Sequence, residues 1–290
     1  MSKKPGNVDD QQLNVVARRV LLDGLTALAT QLPAVTVVGA QAVYLRTPDV
    51  PLTTSAFTSD GDLSLDPLLL VDEPLIERAL RDAGFELMDA NQPGLWRRLE
   101  VVTGTDEPVP VELDLLVGET LAPNQGRRSA RIPPHDPKTA KKVPGLEVAA
   151  VDRSPLTITA LESQDLRAIT VNVAGPVALL VAKAYKIHDR LSRQAIKPAR
   201  LSDKDAADVY RVMLKIEPRQ IVAGFESALA NDRVGGVAAK GLWYLQQQFG
   251  GSDTPGVRMA VAALAGDADE AAIRRVVPAY VNQIRRSIKL

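Results

Sequence analysis

The spacing of apolar residues changes once along the chain, and this change constrains the fold more than any other feature. Between Val35 and residue 172, short apolar runs such as "AVTVVGAQAVYL" and "PVPVELDLLVG" are separated by turn residues. This predicts several strands with helices between them. From Pro176 onward, apolar residues recur at helical spacing. We therefore predict an α+β domain over residues 1–172, followed by an all-helical domain over residues 173–290.

Local patterns specify further elements of the α+β domain. Residues 10–31 have apolar side chains at helical spacing, which predicts a first helix that ends before Pro33. The run "EPLIERALRDAGFEL" predicts another helix, with Pro74 in its first turn. The basic, proline-rich segment 124–144 predicts a loop, and "LEVAAVD" after it predicts a short strand.

Composition excludes several kinds of catalytic site. The chain has no cysteine and two histidines, His135 and His188. Disulfides, thiolate metal sites and cysteine nucleophiles are therefore excluded, and a multi-histidine zinc site is not expected. The 35 basic and 35 acidic residues cancel, which argues against a general nucleic-acid coat protein but not against a local basic surface. With no signal peptide and no membrane-length apolar run, we expect a cytoplasmic protein.

The segment "TSDGDLSLD" (58–66) places Asp60 and Asp62 two residues apart. In a strand, such side chains share a face, and neighbouring carboxylates repel unless a cation neutralises them. Mg²⁺ is the expected cation, because it binds one or two carboxylates together with waters and substrate phosphates. The alternative is a surface turn, since Gly61 accepts positive φ and aspartate caps its own backbone.

A second acidic strand is predicted at "PVPVELDLLVG", where Glu112 and Asp114 share the face opposite the apolar side chains. A neighbouring strand would bring Asp114 beside Asp60 and Asp62. Three converging carboxylates can hold two metal ions about 3.5–4 Å apart, which clamp the oxygens of an in-line phosphoryl displacement.

Five motifs, taken in order, resemble those of the AbiEii/MenT group of nucleotidyltransferase toxins, which belongs to the DNA polymerase β-like nucleotidyltransferase superfamily. They are "VVGAQAVYL", "TSDGDLSL", "VELDLL", "GPVALLVAKAYKIHDRL" and "LSDKDAADVY". The resemblance covers residues 35–215 and implies a nucleotidyltransferase-type mixed sheet with flanking helices. It also implies that Asp60 and Asp62 bind metal, whereas Asp114 completes the metal site and helps to deprotonate the attacking hydroxyl.

The resemblance assigns the remaining site residues to phosphate binding. Gly39 and Ala40 stand where many relatives have Gly-Ser or Gly-Gly, so the backbone can bind a phosphate but a serine hydroxyl is absent. Lys183 would hold the triphosphate, and Asp205 would orient Lys183 or contact substrate. Judged without the resemblance, Lys183 belongs to a solvated basic helix stripe with Lys186 and Arg190, and Asp205 complements a helix dipole.

The activity implied by the resemblance is transfer of a nucleoside monophosphate from an NTP to an acceptor hydroxyl, with Mg²⁺ and release of pyrophosphate. The implied acceptor is RNA, in particular the 3′ end of tRNA, and the implied role is the toxin of a toxin–antitoxin pair with a cognate antitoxin protein. Basic segments 127–142 and 186–200, with the C-terminal arginines, would bind the RNA backbone. Two alternatives remain, namely transfer to a small-molecule or protein hydroxyl, and a non-catalytic binding module of the same fold.

Overall fold

The eight strands that the structure describes between Val35 and Ala174 form one open sheet. The computed structural model describes residues 10–52, 60–102, 107–123, 128–193 and 203–288. The strands in these ranges are β1 (Val35–Val38), β2 (Asp60–Leu65), β3 (Glu86–Leu87), β4 (Leu95–Glu100), β5 (Val109–Gly118), β6 (Lys141–Val143), β7 (Arg153–Thr159) and β8 (Ala168–Ala174).

The sheet is mixed, with the order β3-β4-β5-β2-β1-β8-β7 and with β6 pairing to the last residues of β5. Strand β2 is parallel to β5, and β1 is parallel to β8. The pairs β1–β2, β3–β4 and β4–β5 are antiparallel. A mixed sheet followed by helices confirms the predicted α+β class.

Helices form the C-terminal part of the chain, as the apolar spacing predicts. The helices of the described ranges are α1 (Asp10–Ala27), α2 (Gly39–Arg46), α3 (Ile76–Asp82), α4 (Pro176–Ser192), α5 (Lys204–Lys215), α6 (Pro218–Leu229), α7 (Gly235–Phe249), α8 (Pro255–Ala263) and α9 (Glu270–Ser287). Proline begins α4, α6 and α8, where its missing N–H costs no hydrogen bond. In the part of the chain that the structure describes, no helix has the length and apolar character needed to cross a membrane.

The chain divides into two compact units that each contain more than one stretch of sequence. The first consists of Met1–Gln41, Phe57–Val143 and Ser154–Val173, and the second of Ala42–Ala56, Pro144–Arg153 and Ala174–Leu290. The chain passes from the first unit to the second for the last time between Val173 and Ala174, one residue after the predicted boundary at 172. The sequence analysis did not anticipate that residues 42–56 and 144–153 belong with the helices.

A buried arginine accounts for part of this division. In the second unit, Arg211 of α5 donates hydrogen bonds to Thr47 Oγ1 at 3.0 Å, to the Val50 carbonyl at 3.0 Å and to the Leu52 carbonyl at 2.9 Å. Its guanidinium also lies 5.4 Å from the ring centroid of Tyr44. Because buried backbone carbonyls need donors, Arg211 ties the segment after α2 to the helical unit.

Helix α1 covers the apolar face of the sheet in the first unit. A Cβ on Gly24 of α1 would lie 2.5 Å from Leu113 Cδ2. A Cβ on Gly61 of β2 would lie 3.0 Å from Leu113 Cδ1 and 3.4 Å from Leu21 Cδ1. Gly61 is therefore a buried strand residue whose missing side chain allows α1 to approach the sheet closely.

Several predicted elements differ from the structure in type or extent. Helix α1 ends at Ala27, and Pro33 lies in a short 3-10 helix, Ala29–Ala34, rather than after one long helix. Pro74 precedes α3 instead of starting it. The predicted strand at "LEVAAVD" is wrong, because residues Glu147–Ala150 form a 3-10 helix after Gly145 donates its N–H to the Glu147 carboxylate. The predicted loop 124–144 contains β6, whose three residues depend on pairing with β5.

The packing of α1 on β2 predicts that Gly61→Val lowers the free energy of unfolding by about 1–3 kcal/mol, because added methyl groups overpack Leu113 and Leu21. Urea unfolding monitored by circular dichroism measures this loss. The matched control is Gly236→Val in α7, where a new Cβ has no neighbour within 4 Å. Equal stabilities of the two variants would contradict this account of Gly61.

Candidate functional site

Strand β2 places Asp60 and Asp62 on one face of the sheet. Gly61 and Leu63 are buried, whereas the two aspartates are half-buried. This alternation is the two-residue period of an extended strand, so the surface-turn interpretation is wrong for residues 60–65. Thr58 and Ser59, at the start of the motif, lie outside the described residues.

Strand β5 brings a second pair of carboxylates to the same face. Strands β2 and β5 pair in parallel, with Asp60 opposite Glu112 and Asp62 opposite Asp114. The apolar residues between the two acids of β5 and on either side of them are buried on the other face. The three aspartates that the sequence analysis singled out therefore lie on one face of adjacent strands, with Glu112 as a fourth carboxylate.

Electrostatic repulsion on this face is visible at Glu112. Burial raises the pKa of Glu112, and the negative charges of Asp114 and Asp60 raise it further. The positive charge of Lys141 acts in the opposite direction. We call the side of the sheet that carries Asp60, Asp62, Glu112 and Asp114 the acidic face. Because like charges disfavour ionisation, an added cation would be stabilised on it.

Lys141 contacts the acidic face through Asp114. The sequence analysis did not predict this contact. The Nζ of Lys141 donates a hydrogen bond to Asp114 Oδ2 at 2.9 Å. Lys141 opens β6 and pairs with Leu116, two residues beyond Asp114 on β5. Since this segment was predicted to be a loop, no sequence pattern indicated which acid Lys141 would reach.

The donors on this face fit Mg²⁺ in kind, because this ion prefers oxygen ligands and needs no more than one or two protein carboxylates. Asp62 and Asp114, opposite each other on adjacent strands, are such a pair. Within the described ranges, no group of three or more Asp, Glu, His or Cys side chains is arranged to hold a metal ion.

The turn from β1 into α2 passes directly beside Asp62. Gly39 has φ of +69°, and a Cβ at this position would lie 1.9 Å from Asp62 Oδ2. Only glycine adopts this backbone conformation without strain and leaves room for the carboxylate. Helix α2 begins at Gly39 and continues through Ala40, so the N–H groups of its first turn are the local donors for an anion.

A second cluster of charged residues lies in the helical unit, where α4 packs against α5. Lys183 Nζ donates hydrogen bonds to Asp205 Oδ1 at 2.8 Å and to Asp208 Oδ2 at 2.6 Å. Lys186 Nζ lies 3.1 Å from Asp205 Oδ1, and Arg190 donates to Asp205 Oδ2. Three cations of α4 therefore converge on Asp205.

Burial and pairing have opposite effects in this cluster. Burial favours the neutral forms of both Lys183 and Asp205, yet their mutual attraction keeps the pKa of Lys183 above its ordinary value and the pKa of Asp205 well below it. Burial raises the pKa of Asp208, and the charge of Lys183 only partly offsets this effect. At neutral pH, Lys183 and Asp205 are an ion pair with little exposure to water.

These contacts show how much of the basic stripe is exposed to water. Lys183 is 6% exposed, so the interpretation of a solvated basic face is wrong at this position. Lys186 is half exposed and keeps part of its charge at the surface. The sequence analysis named Lys183 and Asp205 but left Asp208 outside the candidate site, although it follows Asp205 by three residues and so lies on the same face of α5.

Neither histidine lies with the four carboxylates or with Lys183 in the described contacts. His135 is buried, where its Nδ1 accepts a hydrogen bond from the Ile76 N–H at 3.3 Å, and burial lowers its pKa. The ring of His188 stacks on Tyr244 with centroids 3.9 Å apart. The contact of His135 is a hydrogen bond within the fold, and the contact of His188 is ring stacking.

Compared with known proteins, the sequence matches no protein-family model and no curated protein. Family membership therefore stays an expectation from the five motifs. The geometry of the acidic face and of the Lys183 cluster is what supports a function.

The repulsion at Glu112 predicts a pH-dependent gain in stability for Glu112→Gln. A raised folded-state pKa means that Glu112 opposes folding once it is ionised. The variant should gain about 0.2–1 kcal/mol, as expected for cross-strand like charges, at neutral pH. At pH values well below 4.5, the ordinary pKa of this carboxyl, Glu112 is protonated in both the folded and the unfolded protein. The gain in stability should therefore vanish at such pH values. Urea unfolding at several pH values measures this, with exposed Glu119→Gln as control, and a pH-independent difference would contradict it.

The burial of Lys183 predicts a large loss of stability for Lys183→Met. Removing the ammonium leaves Asp205 and Asp208 without their shared partner, and breaking a buried ion pair costs about 3–5 kcal/mol. Lys186→Met removes the same charge from the neighbouring turn, but at a half-exposed position, so it should cost less than about 1 kcal/mol. Urea unfolding of the two variants gives the comparison, and equal losses would show that burial of Lys183 is not important.

Proposed function

We propose that this chain is a metal-dependent nucleotidyltransferase of the AbiEii/MenT type, with the sheet of the DNA polymerase β-like superfamily. The observation that carries the proposal is the register of β2 and β5, which aligns Asp62 with Asp114 and Asp60 with Glu112 on one face. This acidic face lies next to the Gly39 turn. Carboxylates beside a helix N-terminus form an arrangement suited to a metal-bound nucleotide phosphate.

The proposed reaction transfers a nucleoside monophosphate from an NTP. An acceptor hydroxyl oxygen forms a bond to the α-phosphorus, the bond from that phosphorus to the bridging α–β oxygen breaks, and pyrophosphate leaves with the bonding electrons. Asp114 accepts the proton of the acceptor hydroxyl. Asp62 and Asp114, with Asp60 beside them on the same face, would hold Mg²⁺, which supplies positive charge to the phosphate oxygens. A histidine base is not required.

We assign phosphate binding to the turn at Gly39 and Ala40 and to Lys183. Backbone N–H groups at Gly39 and Ala40 would contact the triphosphate, since Gly39 lies against Asp62 and begins α2. Lys183 and Asp205 retain the roles implied by the motif resemblance, with Asp205 orienting Lys183 through the 2.8 Å hydrogen bond. A phosphate at Lys183 would compete with two carboxylates for the same ammonium.

We further propose that the acceptor is RNA, with the 3′ end of tRNA as the first candidate, and that the protein is the toxin of a toxin–antitoxin pair. The basic segment 128–142 supports an RNA backbone contact, because Arg128, Arg131 and Lys138 are exposed while Lys141 reaches the acidic face. Lysines and arginines that neutralise phosphates give salt-dependent binding. A cognate antitoxin protein is the partner that this role requires.

A non-catalytic binding module is the second candidate. One observation favours it, which is that lysines in both candidate regions are already paired with carboxylates of the protein. Lys141 pairs with Asp114 on the acidic face, and Lys183 pairs with Asp205 between α4 and α5. Such pairs stabilise a fold without substrate. The two candidates differ in one measurable respect, which is whether any NTP is consumed.

The decisive experiment is incubation of the protein with each α-³²P-labelled NTP, Mg²⁺ and total cellular RNA, followed by separation of RNA, protein and small molecules. We expect label on RNA with one preferred NTP. Label on protein or on a small molecule would redirect the acceptor assignment, and no transfer with any NTP would favour the non-catalytic module.

Asp60→Ala should lower the transfer rate by at least about 100-fold, the loss typical of removing one group that stabilises transition-state charge. Circular dichroism and the thermal midpoint check that the variant is folded. Asp82→Ala on α3 is the matched control, because this side chain is 74% exposed. Wild-type transfer by Asp60→Ala would remove Asp60 from the site.

A further inference from the structure

Lys141 and Asp114 are placed together by neighbouring parallel strands rather than by chance contact of surface side chains. Strand β6 pairs with β5 so that Lys141 lies opposite Leu116, and the Lys141 ammonium reaches back to Asp114 Oδ2 at 2.9 Å. Both side chains are mostly shielded, with 29% and 16% exposure. The segment that carries Lys141 is held in turn by the hydrogen bond from the Lys142 N–H to the Arg128 carbonyl at 2.7 Å.

We propose that Lys141 is a positioning residue that competes with a divalent cation for Asp114. The ammonium neutralises the carboxylate on the acidic face, and a divalent ion that binds Asp62 and Asp114 has to displace it. Lys141 thereby sets the concentration of Mg²⁺ at which the site fills. This inference rests on the proposed function, because it concerns the same carboxylates.

The charges on this face explain why the two cations compete. Asp114 lies opposite Asp62 on β2 and two residues after Glu112 on its own strand, so three negative charges share a small area. One ammonium relieves part of their repulsion, as its effect on Glu112 shows. A divalent ion relieves more, but it repels an ammonium hydrogen-bonded to the same carboxylate.

A purely structural ion pair is the simpler interpretation. The two interpretations predict different changes in cation affinity when Lys141 is replaced. If Lys141 only stabilises the fold, replacing it lowers stability and leaves cation affinity unchanged or weaker. If Lys141 competes with the cation, replacing it strengthens cation binding. A gain of binding on removal of a side chain is not produced by general damage to the protein.

The test is isothermal titration of Mn²⁺ into the full chain, without nucleotide, for wild type, Lys141→Met, Lys141→Gln and Lys141→Arg. We expect Lys141→Met and Lys141→Gln to bind Mn²⁺ about three- to fivefold more tightly, the factor that corresponds to the upper part of the range for a partly exposed charge pair. Lys141→Arg keeps the charge and should remain within about twofold of wild type. Lys142→Met is the matched control, because adjacent strand residues point to opposite faces, and it should bind like wild type.

A second measurement tests the pair itself without added metal. In EDTA, Lys141→Met should lower the thermal midpoint, whereas adding Lys141→Met to Asp114→Asn should lower it less, because the partner charge is already absent. Additive losses, or unchanged Mn²⁺ affinity in both Lys141→Met and Lys141→Gln, would overturn the inference.

Failure of this inference and failure of the proposed function give different results. Suppose that Mn²⁺ binds wild type and that Asp60→Ala abolishes binding, yet the Lys141 variants bind like wild type. The metal site then stands and the competition is wrong. If neither wild type nor Lys141→Met binds Mn²⁺ at millimolar concentration, both the metal site and the competition are wrong.

Discussion

The pairing of β2 with β5 in a single register determines where the four carboxylates of the acidic face point. Because side chains alternate along a strand, a shift of one residue would turn Asp60 and Asp62 toward helix α1 and expose the apolar residues instead. The close packing of α1 against Leu113 and Gly61 prevents that shift. The hydrophobic contact on one face of the sheet thus holds the carboxylates together on the other, against their mutual repulsion.

Both units place carboxylates in partly or fully buried positions and match them with lysines. In the first unit, Lys141 pairs with Asp114 on a face with several acids, and burial together with the repulsion that remains raises the pKa of Glu112. In the second unit, Lys183 lies between Asp205 and Asp208, and two further cations approach Asp205. The first arrangement retains unbalanced negative charge and is suited to an added cation, whereas the second is closer to electrical balance because Lys183 is held by two carboxylates.

The sequence predicted those features of the site that depend on local geometry. The faces of Asp60, Asp62 and Asp114 follow from the two-residue period of a strand, and the α+β class follows from the change of periodicity near residue 173. Contacts between elements distant in sequence were not predictable in the same way. Lys141 reaches Asp114 only because a three-residue strand pairs with β5, and its own residues carry too little alternation to indicate a strand. Likewise, the burial of Lys183 depends on the packing of α5 against α4, which neither helix pattern specifies.

The position of Gly39 has a consequence for sequence variation. Its backbone occupies the left-handed region, and the volume that a methyl group would need is already filled by Asp62 Oδ2. Any side chain at residue 39 therefore requires both a different turn and a different group at residue 62. Among relatives of this chain, the two positions should accordingly change together or not at all, so that joint retention of glycine at 39 and aspartate at 62 would report an intact acidic face even where overall similarity is low.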